Sequence, residues 1–245
     1  MPRCHIALGG NVGSVEQTFQ TALARLAEDA RIAVTRISSV RRTRPVGPHA
    51  GGEFRNAVAE IQTEIHPLAL LDVLKDVEKG AGRSPGEHWR PRPLDLDLIF
   101  YGNEIIEHRR LSVPHPACWY RRFVLDPLVE IAADVPHPVK GLTVGALRAR
   151  LMPRPLRLAL AGSTAKSRQH LRHELTTTSS EAEVVDWQPG ALSESETAII
   201  AWLGTHDETG RPANFQSLPL VPRLDVSASP DQAALLQAVL QAALG

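Results

Sequence analysis

Cysteine is scarce in this chain of 245 residues: Cys4 and Cys118 are its two. Two thiols so far apart in sequence exclude a disulfide framework and a cysteine-rich zinc site, and they suit a reducing cytoplasm. Neither sign of charge is in excess, with 27 Lys and Arg against 27 Asp and Glu. That balance argues against a dedicated nucleic-acid or membrane-surface binder, while leaving room for a local basic patch. No apolar run approaches the length of a membrane span. The opening MPRCHIALGG lacks the apolar stretch of a signal peptide, so the expected setting is cytoplasmic. Also missing are a GxxxxGKS/T phosphate loop, HExxH, paired CxxC and GxSxG, as well as any internal repeat.

What is present has the length and apolar content for one large domain, or a domain with a smaller companion. CHIALGG reads as a short buried strand ending on glycines. A helix follows, with Ser14 and Gln17 spaced as a capping box and Val15, Phe19, Ala22, Leu23 and Leu26 at helical intervals. RIAVTRISSVRRTRP is β-prone up to Pro45, and VGPHAGGE is a loop. FRNAVAEIQTEI alternates: Phe54, Asn56 and Val58 share one face, and Ala57, Ala59, Ile61, Thr63 and Ile65 the other. A second helix starts near Pro67, with Leu70, Leu71, Leu74 and Val77 on one stripe. LDLDLIFYGNEIIEH predicts a hairpin about Gly102–Asn103. LSVPHPACWYRRFVLDPLVEIA begins extended and ends helical, and Thr143 caps a last short helix. This mixture without strict βαβ alternation predicts an α+β fold with a largely antiparallel sheet. Prolines near 152–157 punctuate the chain, which divides into 1–153 and a smaller α/β unit over 156–245.

The richest segment is WRPRPLDLDLIFYG, residues 89–102. Residues two apart on a strand point the same way. Asp95 and Asp97 therefore share one face, and Leu94, Leu96 and Leu98 point into a core. Two carboxylates this close repel unless positive charge lies between them. Hard cations such as Mg²⁺, bound with substrate phosphates, supply it. Two ordinary surface acids would give the same spacing. Arg83, Arg90, Arg92, Arg121 and Arg122 cluster around the pair in sequence, and guanidinium forks suit phosphate oxygens. Any one of them alone would read as a solvated loop charge. His115, between two prolines, could donate to a phosphate or be structural. The turn at Gly9-Gly10-Asn11 could bring backbone amides to a ligand or merely need unusual dihedrals. Phe54 beside Asn56 on one face can stack on and hydrogen-bond a flat heterocycle. His170 and His173 read as surface residues.

Together ALGGNVGS, TRPVGP, FRNAVAEIQT, RPRPLDLDLIFYG and LSVPHPACWYRRFVLDPLVEIAADVPHP resemble the 6-hydroxymethyl-7,8-dihydropterin pyrophosphokinases over about residues 4–151. The resemblance implies a ferredoxin-like α/β/α sandwich and transfer of the β,γ-pyrophosphoryl group of ATP to the pterin hydroxymethyl oxygen, with release of AMP. By position it implies that Asp95 and Asp97 bind two Mg²⁺ ions, and that Arg83 and Arg92 hold phosphates during transfer. Glu78, His115 and Arg121 would serve the nucleotide. Phe54 and Phe123 would sandwich the pterin, with Asn56 and backbone groups at Thr43 and Val46 on its edge. A loop over 82–92 would close to exclude water.

The chain departs from that pattern at Pro85, where many members carry a second arginine, and at His88, a commonly basic position. Three readings follow: an active pyrophosphokinase; a pterin- or nucleotide-binding module derived from one but impaired in turnover; and, more distantly, a kinase of another substrate that releases ADP. Nothing in the family accounts for 156–245. Its end faintly resembles nucleotide kinases, but LALAGSTAKS lacks the glycine-lysine pair, so the expectation is a stabilising or oligomerising appendage. The expected partners are the two small substrates, with no nucleic acid or membrane; the oligomeric state is left open.

Overall fold

The structure is a computed structural model that describes residues 1–47, 51–82, 91–176, 180–188, 197–204 and 215–245. It divides into two compact units, Met1–Arg148 with Gly245, and Ala149–Leu244.

The first unit runs β1 (Arg3–Gly10), α1 (Val15–Ala27), β2 (Ile32–Ile37), β3 (Arg41–Thr43), β4 (Phe54–Thr63), α2 (Pro67–Gly80), β5 (Asp95–Tyr101), β6 (Ile106–His108), β7 (Leu111–Val113), α3 (Arg122–Ala132) and α4 (Val144–Arg150). Its main sheet has the order β2-β4-β1-β5, with β3 also on β4, and every pairing is antiparallel. Two split βαβ connections with this strand order make the ferredoxin-like arrangement, an α+β fold. The alternating β4 pattern separates its faces as the sequence predicts. Ala57, Ala59 and Ile61 join Ile6 and Leu8 of β1, Leu96 and Leu98 of β5, Phe19 and Leu23 of α1, and Leu70 and Leu74 of α2 in one buried core. The opposite face is covered by α3, whose Glu130 takes the Ser39 backbone N–H (2.7 Å), the Ser39 hydroxyl (2.8 Å) and the Arg41 guanidinium.

Each fully buried leucine side chain contributes about 1.5–3 kcal/mol. Two carboxylates one strand repeat apart, about 7 Å, repel by roughly 2–3 kcal/mol at an effective dielectric near 20. Leu94, Leu96 and Leu98, all buried, therefore hold β5 in place against the repulsion of the acids on its other face.

Three local expectations change. The Gly102–Asn103 hairpin does not form: β5 pairs with β1, and β6 pairs with β7. The free edge of β5 is taken instead by the backbone N–H of His115, which donates to Ile99 O (3.0 Å). Ser14 sits at the start of α1 but makes no side-chain capping bond; its carbonyl accepts the Thr18 N–H and hydroxyl. Gly9 and Gly10 end β1, as read from CHIALGG, so the chain turns after them and not at them. Thr143 does cap α4, accepting the Ala146 N–H (3.1 Å).

The second unit runs β8 (Leu156–Ala161), α5 (Ala165–Thr176), β9 (Ala182–Asp186), β10 (Ile199–Trp202), β11 (Arg223–Asp225) and α6 (Gln232–Leu244). Among the described residues its sheet is wholly parallel, in the order β11-β10-β8-β9. LRLALA and IIAW are almost continuously buried, as strands covered on both faces must be. Gly162 has φ +75°, and a Cβ there would lie 2.3 Å from Gly204 O, so the turn after β8 requires glycine. His170 and His173 are exposed, as the sequence predicts. No helix among the described residues is long and apolar enough to cross a membrane.

Candidate active site

The first unit carries a cavity of about 250 Å³ on the α3 face of its sheet. Register explains its shape. Asn56, Gly9 and Asp95 lie opposite one another across β4, β1 and β5, and Val58, Ala7 and Asp97 form the next row. Directly opposed residues project to the same face. The central strand supplies only glycine and alanine there, so the rows sink into a trough. A Cβ on Gly9 would lie 3.2 Å from Asn56 Oδ1, which shows that this amide oxygen faces the gap. Asn56 Nδ2 is held by Thr43 Oγ1 at 2.7 Å, which fixes the amide's orientation.

At the β5 end stand the acids and arginines. Arg92 Nη1 is 3.4 Å from Asp95 Oδ2, and its Nε is buried without a hydrogen-bond partner. The same guanidinium lies 5.9 Å from the Phe54 ring, and that of Arg121 lies 5.5 Å from the Phe123 ring. His115 Nδ1 accepts the Ala117 N–H (3.2 Å), which leaves the ring proton on Nε2, 4.0 Å from Asp97 Oδ2. Burial pushes the His115 pKa below the usual imidazole range, although Asp97 pulls it the other way.

Asn11 fixes the approach to the acids. Its backbone N–H donates to Arg92 O, and its Oδ1 accepts the Arg92 N–H, both at 2.9 Å. It therefore braces the residue that leads into β5.

The structure gathers most of the residues the sequence singles out. Thr43, Val46, Phe54, Asn56, Arg92, Asp95, Asp97, Arg121 and Phe123 line the cavity, and His115 flanks Asp97. Glu78 does not line it. Its carboxylate is buried and accepts the Leu96 N–H (2.6 Å) and the Lys75 ammonium (2.8 Å). It thus grips β5 at the residue between the two acids, from the other face of the strand. Arg83, Pro85, His88 and Arg90 lie outside the described residues, as does most of the 82–92 loop. Ala7, Leu8, Arg44 and Val124 line the cavity without being singled out by the sequence. Small residues alternating on a strand are the signal that finds Ala7, once β1 is known to be central.

Among the described residues no group of three or more His, Cys, Asp or Glu could hold a metal ion unaided. Two carboxylates on one strand face nevertheless fit Mg²⁺, which keeps most of its shell as water and substrate phosphate and takes one or two carboxylates from protein.

Comparison with known proteins agrees with this geometry. The profile described as 7,8-dihydro-6-hydroxymethylpterin-pyrophosphokinase matches residues 5–133. The 2-amino-4-hydroxy-6-hydroxymethyldihydropteridine pyrophosphokinase of Synechocystis is 44% identical over 145 residues, 58% of this chain and 74% of that protein. The protein of the same name from Haemophilus influenzae is 40% identical over 138 residues, 56% of this chain and 86% of that one. That of Bacillus subtilis is 40% identical over 131 residues, 54% of this chain and 78% of that one. The matched segment contains the trough, its acids, its arginines and its aromatic residues, and spans more than half of the sequence; the chain belongs to the 7,8-dihydro-6-hydroxymethylpterin-pyrophosphokinase family.

Proposed function

We propose that this chain transfers the β,γ-pyrophosphoryl group of ATP to the hydroxymethyl oxygen of 6-hydroxymethyl-7,8-dihydropterin and releases AMP, a step of folate biosynthesis. One observation carries the reading: Asp95 and Asp97 share a face at one end of a trough whose walls include Phe54, Asn56 and Phe123. Phe54 and Phe123 would take the flat ring, and Asn56 Oδ1 would accept from its amide-like edge, with Thr43 and Val46 beside it. The hydroxymethyl group then points along the trough to the acids.

Asp95 and Asp97 would hold two Mg²⁺ ions that arrive with ATP; bound there, they offset phosphate charge and orient the polyphosphate chain. The protein's own contribution is positioning and charge. Arg92 and Arg121, together with Arg83, would hold phosphate oxygens in which negative charge builds up. His115 steadies the Asp97 side of the site, and Glu78 fixes the Leu96 backbone between the acids. The hydroxymethyl oxygen forms the new bond to the β-phosphorus. The bond from that phosphorus to the α,β-bridging oxygen breaks, AMP keeps the oxygen, and the hydroxyl proton passes to solvent. The activity belongs to the first unit in this reading, and a cytoplasmic setting suits its free cysteines, Cys4 and Cys118.

A product assay tests the proposal. Purified protein with Mg²⁺, ATP and the pterin should yield AMP only when pterin is present, and none with EDTA. ADP would show a kinase of another kind. Absence of any pterin-dependent nucleotide product would favour a binding module that has lost turnover.

A further inference from the structure

The trough has two walls of different origin. One is β3 with the start of β4, which brings Thr43, Phe54 and Asn56; the other is the start of α3, which brings Phe123. Among the described residues β3 is a three-residue strand paired with β4 alone, with Arg41 opposite Asn56 and Thr43 opposite Phe54. So short a strand with a single partner is weakly held by its own ladder.

Glu130 ties the two walls together without lining the cavity itself. Its Oε2 accepts the Ser39 backbone N–H (2.7 Å), and its Oε1 accepts the Ser39 hydroxyl (2.8 Å) and two N–H groups of Arg41 (2.9 and 2.6 Å). Hydrogen bonds to a carboxylate are shorter and stronger than neutral ones. The segment that opens β3 is therefore fastened to α3. The Arg36 guanidinium, which donates to Ile131 O, fastens the same end of the helix to β2.

Phe123 and Glu130 are about two turns apart on α3, roughly 10 Å, and lie on one stripe of the helix. The stripe that grips β3 is thus the stripe that carries the aromatic ring. On the reading above, the flat substrate ring lies between Phe54 and Phe123. Such contacts are short-ranged, and a gap of about 0.5–1 Å forfeits roughly a quarter to a half of the attraction. The spacing of the walls then decides how firmly the ring is held.

We propose that Glu130 is a positioning residue for the pterin: it clamps β3 to α3 and so sets the gap between Phe54 and Phe123. The inference rests on the pterin reading of the trough.

The test measures two affinities by calorimetry: that of a non-hydrolysable ATP analogue with Mg²⁺, and that of 6-hydroxymethylpterin added to the resulting complex. Glu130→Ala should weaken pterin binding about fivefold, the worth of one aromatic contact, and leave the nucleotide affinity within about twofold. Glu130→Gln keeps the side chain's shape and one acceptor, so it should cost about threefold; it carries the same comparison if the alanine variant does not fold. In a Phe123→Ala background, where there is no ring to place, either change should cost clearly less. Melting temperatures above the assay temperature show which variants are folded. Unchanged pterin affinity, equal weakening of both ligands, or an undiminished cost in the Phe123→Ala background overturns the role of Glu130. Failure of wild type to bind the pterin overturns the pterin reading itself, and the inference with it.

Discussion

The two units bury their sheets in different ways, and the difference locates the chemistry. In the second unit, β8 and β10 are buried along almost their whole length, and the sheet is parallel. Strands so fully covered leave little room for polar side chains in mid-strand. In the first unit the antiparallel β5 alternates, with Leu96 and Leu98 inward and Asp95 and Asp97 on the cavity face. Beside them β1 offers Ala7 and Gly9, which leave space rather than fill it. Alternation lets one strand be both a core element and a wall of the site. A continuously apolar strand can only be core.

Removing the acids should have the largest effect. Asp95→Ala and Asp97→Ala should each lower turnover by about 10²–10³-fold, the scale of losing one preorganised electrostatic group, with circular dichroism and melting largely unchanged. Near-normal turnover in both variants would remove the acids from the mechanism.

Core truncations sharpen the contrast. Leu96→Ala and Ile200→Ala each delete a fully buried side chain and should each cost about 2–5 kcal/mol. Assayed below both melting transitions, only Leu96→Ala should also reduce turnover, because Leu96 sits between the acids. Loss of turnover in Ile200→Ala with the fold intact would make the second unit part of the catalytic apparatus.

Acid should act on the first unit. His5 and His137 are buried and each packs in a T-shaped arrangement with the Phe100 ring, with centroids at 5.9 and 5.6 Å, and burial lowers each pKa to about 4. For His5 the attraction of Glu60 opposes this without offsetting it. The unfolded chain takes up these protons near pH 6.5, whereas the folded chain resists until about pH 4. The stabilisation is therefore complete above pH 6.5 and lost as pH falls toward 4, by roughly 3 kcal/mol per histidine at the acid end. Denaturant titrations at pH 7.5 and 5 should show the drop, and a His5→Leu/His137→Leu double variant should flatten it. An equal slope in that variant would assign the acid sensitivity elsewhere.

The smallest of these effects concerns the ring. Phe54→Ala should raise KM for the pterin by about tenfold with less change in kcat, since stacking acts on the bound ground state as much as on the transition state. A fall in kcat alone would argue that Phe54 orients the reacting group instead.

Periodicity made much of this legible in advance. The alternation of β4, the leucine and aspartate faces of β5, and the helix stripes all follow from side-chain spacing, which is local. What eluded the sequence depends on contacts distant along the chain. In place of the Gly102–Asn103 hairpin, β6 pairs with β7, and His115, further down the chain, supplies the backbone donor for Ile99. Glu78 turns to Leu96 rather than to the cavity, a choice fixed by how α2 lies on β5. Gly9 looks like part of a turn until β4 and β5 are seen to flank it.

The central claim is that Asp95 and Asp97 hold metal ions that arrive with the nucleotide. Electron paramagnetic resonance titration with Mn²⁺, in the presence of a non-hydrolysable ATP analogue and 6-hydroxymethylpterin, tests it directly. Wild type should bind two ions per chain, and an Asp95→Asn/Asp97→Asn double variant should lose them while still melting as a folded protein. Two ions retained by that variant would contradict the account.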